Sequence, residues 1–220
     1  MADLKEVAGI PTIPENLLQP YSRAVVFGIS FPNDVFAQIE DAPTPLYARQ
    51  YFVANQILDH QGFLIQKKLA DAGFRALAIP ASQLLDKQNW MAHVSAKALA
   101  RAAGLGWIGK NLLLINPRYG SRIRIASVLT NAPLQADPIV PFRCGTCTRC
   151  VEACPVEAIR GNSWEKYPES RETALDFEKC KNLLTQDFAQ RPELGFPVCG
   201  ICIKVCPFTI PKEAKGRQLV

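Results

Sequence analysis

Four cysteines stand as C-x2-C-x2-C-x3-C-P in CGTCTRCVEACP, residues 144–155, and nothing else in the 220-residue chain constrains it as tightly. They are Cys144, Cys147, Cys150 and Cys154, with Pro155 closing the run. In this bacterial-ferredoxin spacing three thiolates hold one [4Fe–4S] cube and the fourth ligates the other cluster of a pair. One run therefore predicts a second. It follows in the chain: Cys180 stands alone, and CGICIKVCP supplies Cys199, Cys202 and Cys206 ahead of Pro207. Crossed ligation assigns Cys144, Cys147, Cys150 and Cys206 to one cluster and Cys154, Cys180, Cys199 and Cys202 to the other. All eight cysteines of the chain are used.

Structural zinc also takes C-x2-C pairs, but it wants four tetrahedral ligands from well-separated pairs. It leaves the dense run and both Cys-Pro endings unexplained. A disulfide framework belongs to small secreted chains. The N-terminal MADLKEVAGIPTIPENLL has neither a basic start with an apolar stretch nor a twin arginine. No segment approaches the roughly 18 apolar residues of a membrane span. A cytoplasmic protein with no membrane partner is expected. The formal charge of +5 counts cysteines as neutral. Two oxidised cubanes with their thiolates bring it to about +1, so charge is no argument for nucleic acid.

Ahead of the cysteines the pattern is mixed α and β. Prolines 11, 14 and 20 mark an irregular lead-in, and SRAVVFGIS, residues 22–30, reads as a buried strand. FPNDVFAQIEDAPTP reads as a loop. A long helix is expected from about Leu46 to Ala72, stopped by Gly73, with His60 within it as an ordinary surface or core residue. FRALAI, 74–79, is a second strand, and strand–helix–strand suggests a parallel α/β unit. Ser95 is placed as an N-cap, with Val94 and Leu99 as a hydrophobic staple, for a short helix ending at Gly104. Residues 110–115 and 122–130 read as two strands of a hairpin-like pair joined by NPRYGS. The expected fold class is α+β: an α/β domain over 1–140, a ferredoxin-like double [4Fe–4S] domain over 141–210, and a tail over 211–220.

Gly104, Gly106 and Gly109 form G-x-G-x-x-G, followed by Lys110. A dinucleotide fingerprint needs a strand before it and a helix after it, and the order here is the reverse. The G-x4-G-K spacing of a phosphate loop is present, but Asn111 replaces the Mg²⁺-binding hydroxyl. Close backbone approach to a bulky ligand is the remaining reason for three glycines.

AGLGWIGKN (103–111), LLINPRYGSRIR (113–124), VLTNAPL (128–134) and the two cysteine runs together resemble the epoxyqueuosine reductases, cobalamin-dependent enzymes of tRNA modification related to reductive dehalogenases. The resemblance covers roughly residues 14–208. It implies that the α/β part is a cobalamin-binding-like domain holding base-off cobalamin, with the clusters feeding electrons to its cobalt. It would place Gly104, Gly106, Gly109, Lys110, Asn111, Tyr119, Gly120 and Ser121 along the corrinoid. D-x-H-x-x-G, the mark of histidine-ligated cobalamin, is absent; LDHQGF at 58–63 does not fit it. The family's proposed general acid is an aspartate thirteen residues before the alanine of AGLG; here that position is Trp90. Asp86 is the nearest carboxylate; His93, the nearest imidazole, is read either as a candidate proton source or as a residue fixing the turn before the Ser95 helix. Read as a whole chain, this would be a short form without the family's C-terminal helical-repeat domain, which makes tRNA a doubtful partner.

Two functions follow as expectations. One is a corrinoid-dependent reductase acting on a small molecule or modified nucleoside and served by an electron-donor protein. The other is a ferredoxin-like electron carrier without substrate chemistry. A protein that binds or reactivates another enzyme's corrinoid is a third. Whether the α/β part holds cobalamin separates them.

Overall fold

Val25, Val26, Phe27 and Ile29 make a strand of the first apolar run, and every later layer is laid against it. In the computed structural model, which describes residues 1–210, the chain runs β1 (Ala2–Asp3), β2 (Arg23–Ser30), α1 (Asn33–Ala37) and α2 (Pro45–Asp71). Then come β3 (Ala76–Ile79), α3 (Ala96–Ala102), β4 (Trp107–Ile108), β5 (Leu114–Ile115) and β6 (Ile123–Thr130). The short helices α4 (Arg149–Glu152), α5 (Phe177–Asn182) and α6 (Ile201–Lys204) complete the order. The tail expected at 211–220 lies outside the described residues.

The caps act as their residue types dictate. Thr44 and Ser95 accept from the backbone N–H of Tyr47 and Ala98, closing the first turns of α2 and α3. Val94 and Leu99 are both buried in the main core. Gly73, at φ 86°, ends α2. Its N–H donates to Ala70 O at 2.9 Å and that of Phe74 to Leu69 O at 3.0 Å, a Schellman stop.

The sheet corrects two expectations. Its order is β1-β2-β6-β3, and each neighbouring pair is antiparallel. The β2–α2–β3 unit is present, but β6 is inserted between the two strands it would have paired. The hairpin of 110–115 with 122–130 does not form either. Leu112 adopts φ 57°, a conformation a β-strand excludes, so residues 109–113 turn and β5 pairs with β4. Residues 33–37, expected as loop, form α1 and bury Val35 and Phe36.

Registry sets what each face of the sheet meets. Ala24↔Leu129 and Val26↔Ser127 share one face, where Ala24 and Leu129 pack in one core with Leu99 of α3. Phe27↔Ala126 and Ile29↔Arg124 share the other. There Gly62 of α2 abuts Phe27, and Arg124 donates to Asn55 Oδ1 at 2.9 Å. Two smaller cores cross the sequence boundary near residue 141. One joins Phe36, Tyr47 and Ala54 to Phe188, Val198 and Ile201; the other joins Trp107 and Ile115 to Cys206. The cysteine segment is thus packed against α1 and α2 and against the β4–β5 pair.

Candidate functional site

Each cysteine run folds into a tight turn followed by one short helix. In the first, Cys147 N donates to Cys144 O, Val151 N to Thr148 O and Cys154 N to Val151 O, and α4 carries Cys150. In the second, Gly200 at φ 90° opens α6, which carries Cys202. A β-carbon on Gly200 would stand 2.6 Å from Ile39 Cδ1. Cys206 N then donates to Ile203 O, and Thr209 N to Cys206 O at 2.8 Å. Helices α4 and α6 pack together, bringing the two runs face to face.

Cys144, Cys147, Cys150 and Cys206 line one small cavity, with Lys110, Asn111, Ile115, Pro207 and Phe208 completing its wall. Fifty-two positions separate Cys154 from Cys206, yet Cys206 joins the first three cysteines of the other run. Burial pushes the Cys150 thiol up to about 11, with the Cys144, Cys206 and Cys147 thiols adding to it. Burial likewise raises Cys199 to about 11 and Cys202 well above its usual value. The groups acting on Cys199 after burial include Cys180 and Cys154, and those on Cys202 include Cys199, Cys180 and Cys154. Crowded buried thiols resist ionisation unless cationic iron compensates the charge, so the donor set fits an iron–sulfur centre. Among the described residues, no group of His, Cys, Asp or Glu side chains converges as a single metal ion requires.

The other residues singled out from the sequence divide. Lys110 and Asn111 are buried and face the four-cysteine cavity. Lys110 Nζ donates to Cys147 O at 3.0 Å, and Asn111 Nδ2 is buried without a hydrogen-bond partner. The glycines lie against protein. A β-carbon on Gly104 would come within 2.4 Å of Pro138 O, on Gly106 within 2.1 Å of Ile115 O, and on Gly120 within 2.4 Å of Thr209 Oγ1. At Gly109 it would meet Ile115 Cδ1 at 2.4 Å. Close approach is the right reason for these glycines, but the chain's own atoms occupy the approach. Arg118 and Arg122 stack over Tyr119 at 5.2 and 5.5 Å, and Ser121 Oγ is buried and unpartnered.

His93 is drawn into the lead-in. Its Nδ1 donates to Ile13 O at 2.7 Å, and its carbonyl accepts from Ile13 N. It lines neither cleft described here. Trp90 adopts φ 50° and meets Phe177 edge-on. Asp86 accepts from the backbone and side chain of Asn89, which holds its carboxyl below the usual range.

Sequence reasoning passed over a second cleft, of about 620 Å³, against the outer sides of α4 and α6. Phe36, Ala37, Ala153 and Val205 give it apolar walls; Arg149, Glu152 and Lys204 give it charge. Asn33 and Thr209 also line it, and Asn33 Oδ1 and Thr209 Oγ1 are buried without partners. Ser121 Oγ and Arg122 Nε, on the turn that Gly120 presses against Thr209, are unpartnered too. Buried polar atoms are normally satisfied, and here four are not. Only proximity in space unites these positions.

Known proteins match this arrangement. The family of the 4Fe-4S double cluster binding domain covers residues 143–209, so the class is that of double-cluster iron–sulfur proteins. An epoxyqueuosine reductase of Synechococcus sp. (strain CC9605) is 38% identical over 206 residues, covering 89% of this chain and 58% of the relative. Over those residues the chain is similar to that relative, and it spans little more than half of the relative's length. Among solved structures, epoxyqueuosine reductase with an epoxyqueuosine-modified tRNA-Tyr stem loop superposes with a TM-score of 0.60 at 24% identity, covering 89% of this chain and 51% of that one. A reductive dehalogenase whose structure suggested a mechanism for B12-dependent dehalogenation gives 0.67 at 20% identity, over 87% and 26%. These two share the mixed α and β fold. Among the described residues, no helix is long and apolar enough to cross a membrane.

Proposed function

We propose that this chain is the core of an iron–sulfur reductase that uses a corrinoid, with residues 1–140 supplying the sheet layer and residues 141–210 the two cluster sites. The observation that carries the reading is the 620 Å³ cleft. Its wall residues Arg149, Glu152 and Ala153 alternate with Cys150 and Cys154, and Lys204 and Val205 lie between Cys202 and Cys206. A ligand seated there touches the segments that carry both thiolate sets. When bound, [4Fe–4S] clusters supply one-electron storage and a cobalamin supplies a reducible cobalt centre.

The chain's own residues do the positioning. Crossed ligation by Cys144, Cys147, Cys150 and Cys206, and by Cys154, Cys180, Cys199 and Cys202, would lock α4 and α6 together beneath the cleft. The apolar walls suit a macrocycle's face, and Asn33, Thr209, Arg149 and Lys204 suit the amide groups at its edge. Gly106 and Gly109 act one layer behind, holding the β4–β5 ribbon close, while Gly104 lies against Pro138. Gly120, between Tyr119 and Ser121, lies directly against Thr209. His93 is better placed as a clamp on the lead-in than as a proton donor.

The relatives' names point to a modified nucleoside as the substrate class, and the relative solved with a tRNA stem loop keeps tRNA among the proposed partners. A separate electron-donor protein is proposed to charge the clusters. Cobalamin titration of anaerobically reconstituted protein tests the reading. A corrinoid spectral change and co-elution on gel filtration are expected. Protein with about eight iron per chain that neither changes the spectrum nor retains cobalamin would make it an electron carrier instead.

A further inference from the structure

The two thiolate sets are not equivalent in their surroundings. At Cys144, the Trp107 indole Nε1 donates to Sγ at 3.4 Å. Lys110, 7% exposed, brings its ammonium group to the wall of the four-cysteine cavity and is held by Cys147 O. Asn111, 5% exposed, lines the same cavity with its amide Nδ2 unpartnered. All three side chains come from the glycine stretch, and all three are donors. The set with Cys154 receives the backbone N–H of Ala158 at 3.3 Å, a backbone hydrogen bond from Ile201 at Cys199 and, more remotely, the charge of Lys97 near Cys180.

A cluster's potential is set by net charge, hydrogen bonds to sulfur and solvent exposure. Reduction adds one electron and no proton, so the centre gains a negative charge. Donors and a fixed cation beside it stabilise that charge, more strongly where water is excluded. We propose that Trp107, Lys110 and Asn111 are positioning residues that raise the reduction potential of the Cys144/Cys147/Cys150/Cys206 cluster above that of its partner. An electron delivered by a low-potential one-electron donor then rests on the side of the β4–β5 ribbon. The glycines explain how: with the chain pressed against Ile115 at Gly106 and Gly109, β4 and the turn after it bring three donors to one thiolate set. This inference rests on the cluster reading but not on cobalamin.

The test is an EPR-monitored redox titration of reconstituted protein, free of cobalamin, with dithionite as reductant. Two distinct midpoints are expected in wild type. Lys110→Met, Asn111→Leu and Trp107→Phe should each lower the higher midpoint and leave the lower one in place, whereas Lys110→Arg should restore most of the shift. Cys206→Ser, which alters a ligand of that cluster, should perturb the same signal. Unmoved midpoints at full iron content, equal movement of both, or movement of the other cluster alone would overturn the proposal. If Lys110→Met does not assemble with full iron, Trp107→Phe and Asn111→Leu carry the same comparison. Wild type that takes up no iron would instead defeat the cluster reading itself.

Discussion

A β-carbon on Gly106 would stand 2.1 Å from the carbonyl oxygen of Ile115, because the chain entering the antiparallel β4–β5 pair leaves no room for a side chain there. That contact determines what Gly106 substitutions report. Gly106→Val is expected to lose at least the 1–3 kcal/mol typical of overpacking, seen as a lower melting temperature and poorer iron incorporation even without cobalamin. A variant that melts with wild type but fails to retain cobalamin would show that Gly106 faces the ligand after all.

Cys206→Ala tests the crossed assignment. Cys206 shares its cavity with Cys144, Cys147 and Cys150, so iron should fall from about eight toward about four per chain. The remaining cluster should be the one held by Cys154, Cys180, Cys199 and Cys202. Loss of that cluster, with the first intact, would reverse the assignment.

Thr209→Val removes a buried hydroxyl that has no partner and preserves the side chain's shape. Without ligand the variant should be as stable as wild type or more so, by roughly 1–3 kcal/mol, since an unsatisfied buried polar group is costly. Cobalamin retention should fall at the same time. Unchanged retention would mean that Thr209 Oγ1 does not face the ligand.

His93→Phe should free the lead-in. Losing one hydrogen bond to Ile13 costs about 1 kcal/mol, and limited proteolysis should then cut between residues 9 and 20 faster. Iron content and cobalamin reduction should hold near wild type. A tenfold or greater loss of reduction in a variant with normal iron would make His93 a proton donor.

Much of the local architecture was legible in the residues. The long helix ends where Gly73 permits a Schellman stop, Ser95 caps α3, and the apolar runs at 23–30 and 123–130 are strands. These features depend on neighbours within about five positions or on a simple period, which a sequence displays directly. The eight cysteines were legible for a similar reason, since their spacing is displayed directly in the chain.

What the chain determined alone, then, is the long helix, the Ser95 cap, the two eight-residue strands and the spacing of eight cysteines. Tertiary structure decided who meets whom. Strand β6 entered between β2 and β3 across nearly 100 residues, a pairing that no local pattern encodes. A glycine announces a close approach, but only the fold shows that Ile115, Pro138 and Thr209 make it. Lys110 and Asn111 carry no mark of facing sulfur until Leu112 turns the chain at φ 57°. The cleft against α4 and α6 draws on residues 33 to 210, so it exists only once the sheet layer and the cysteine turns are packed together.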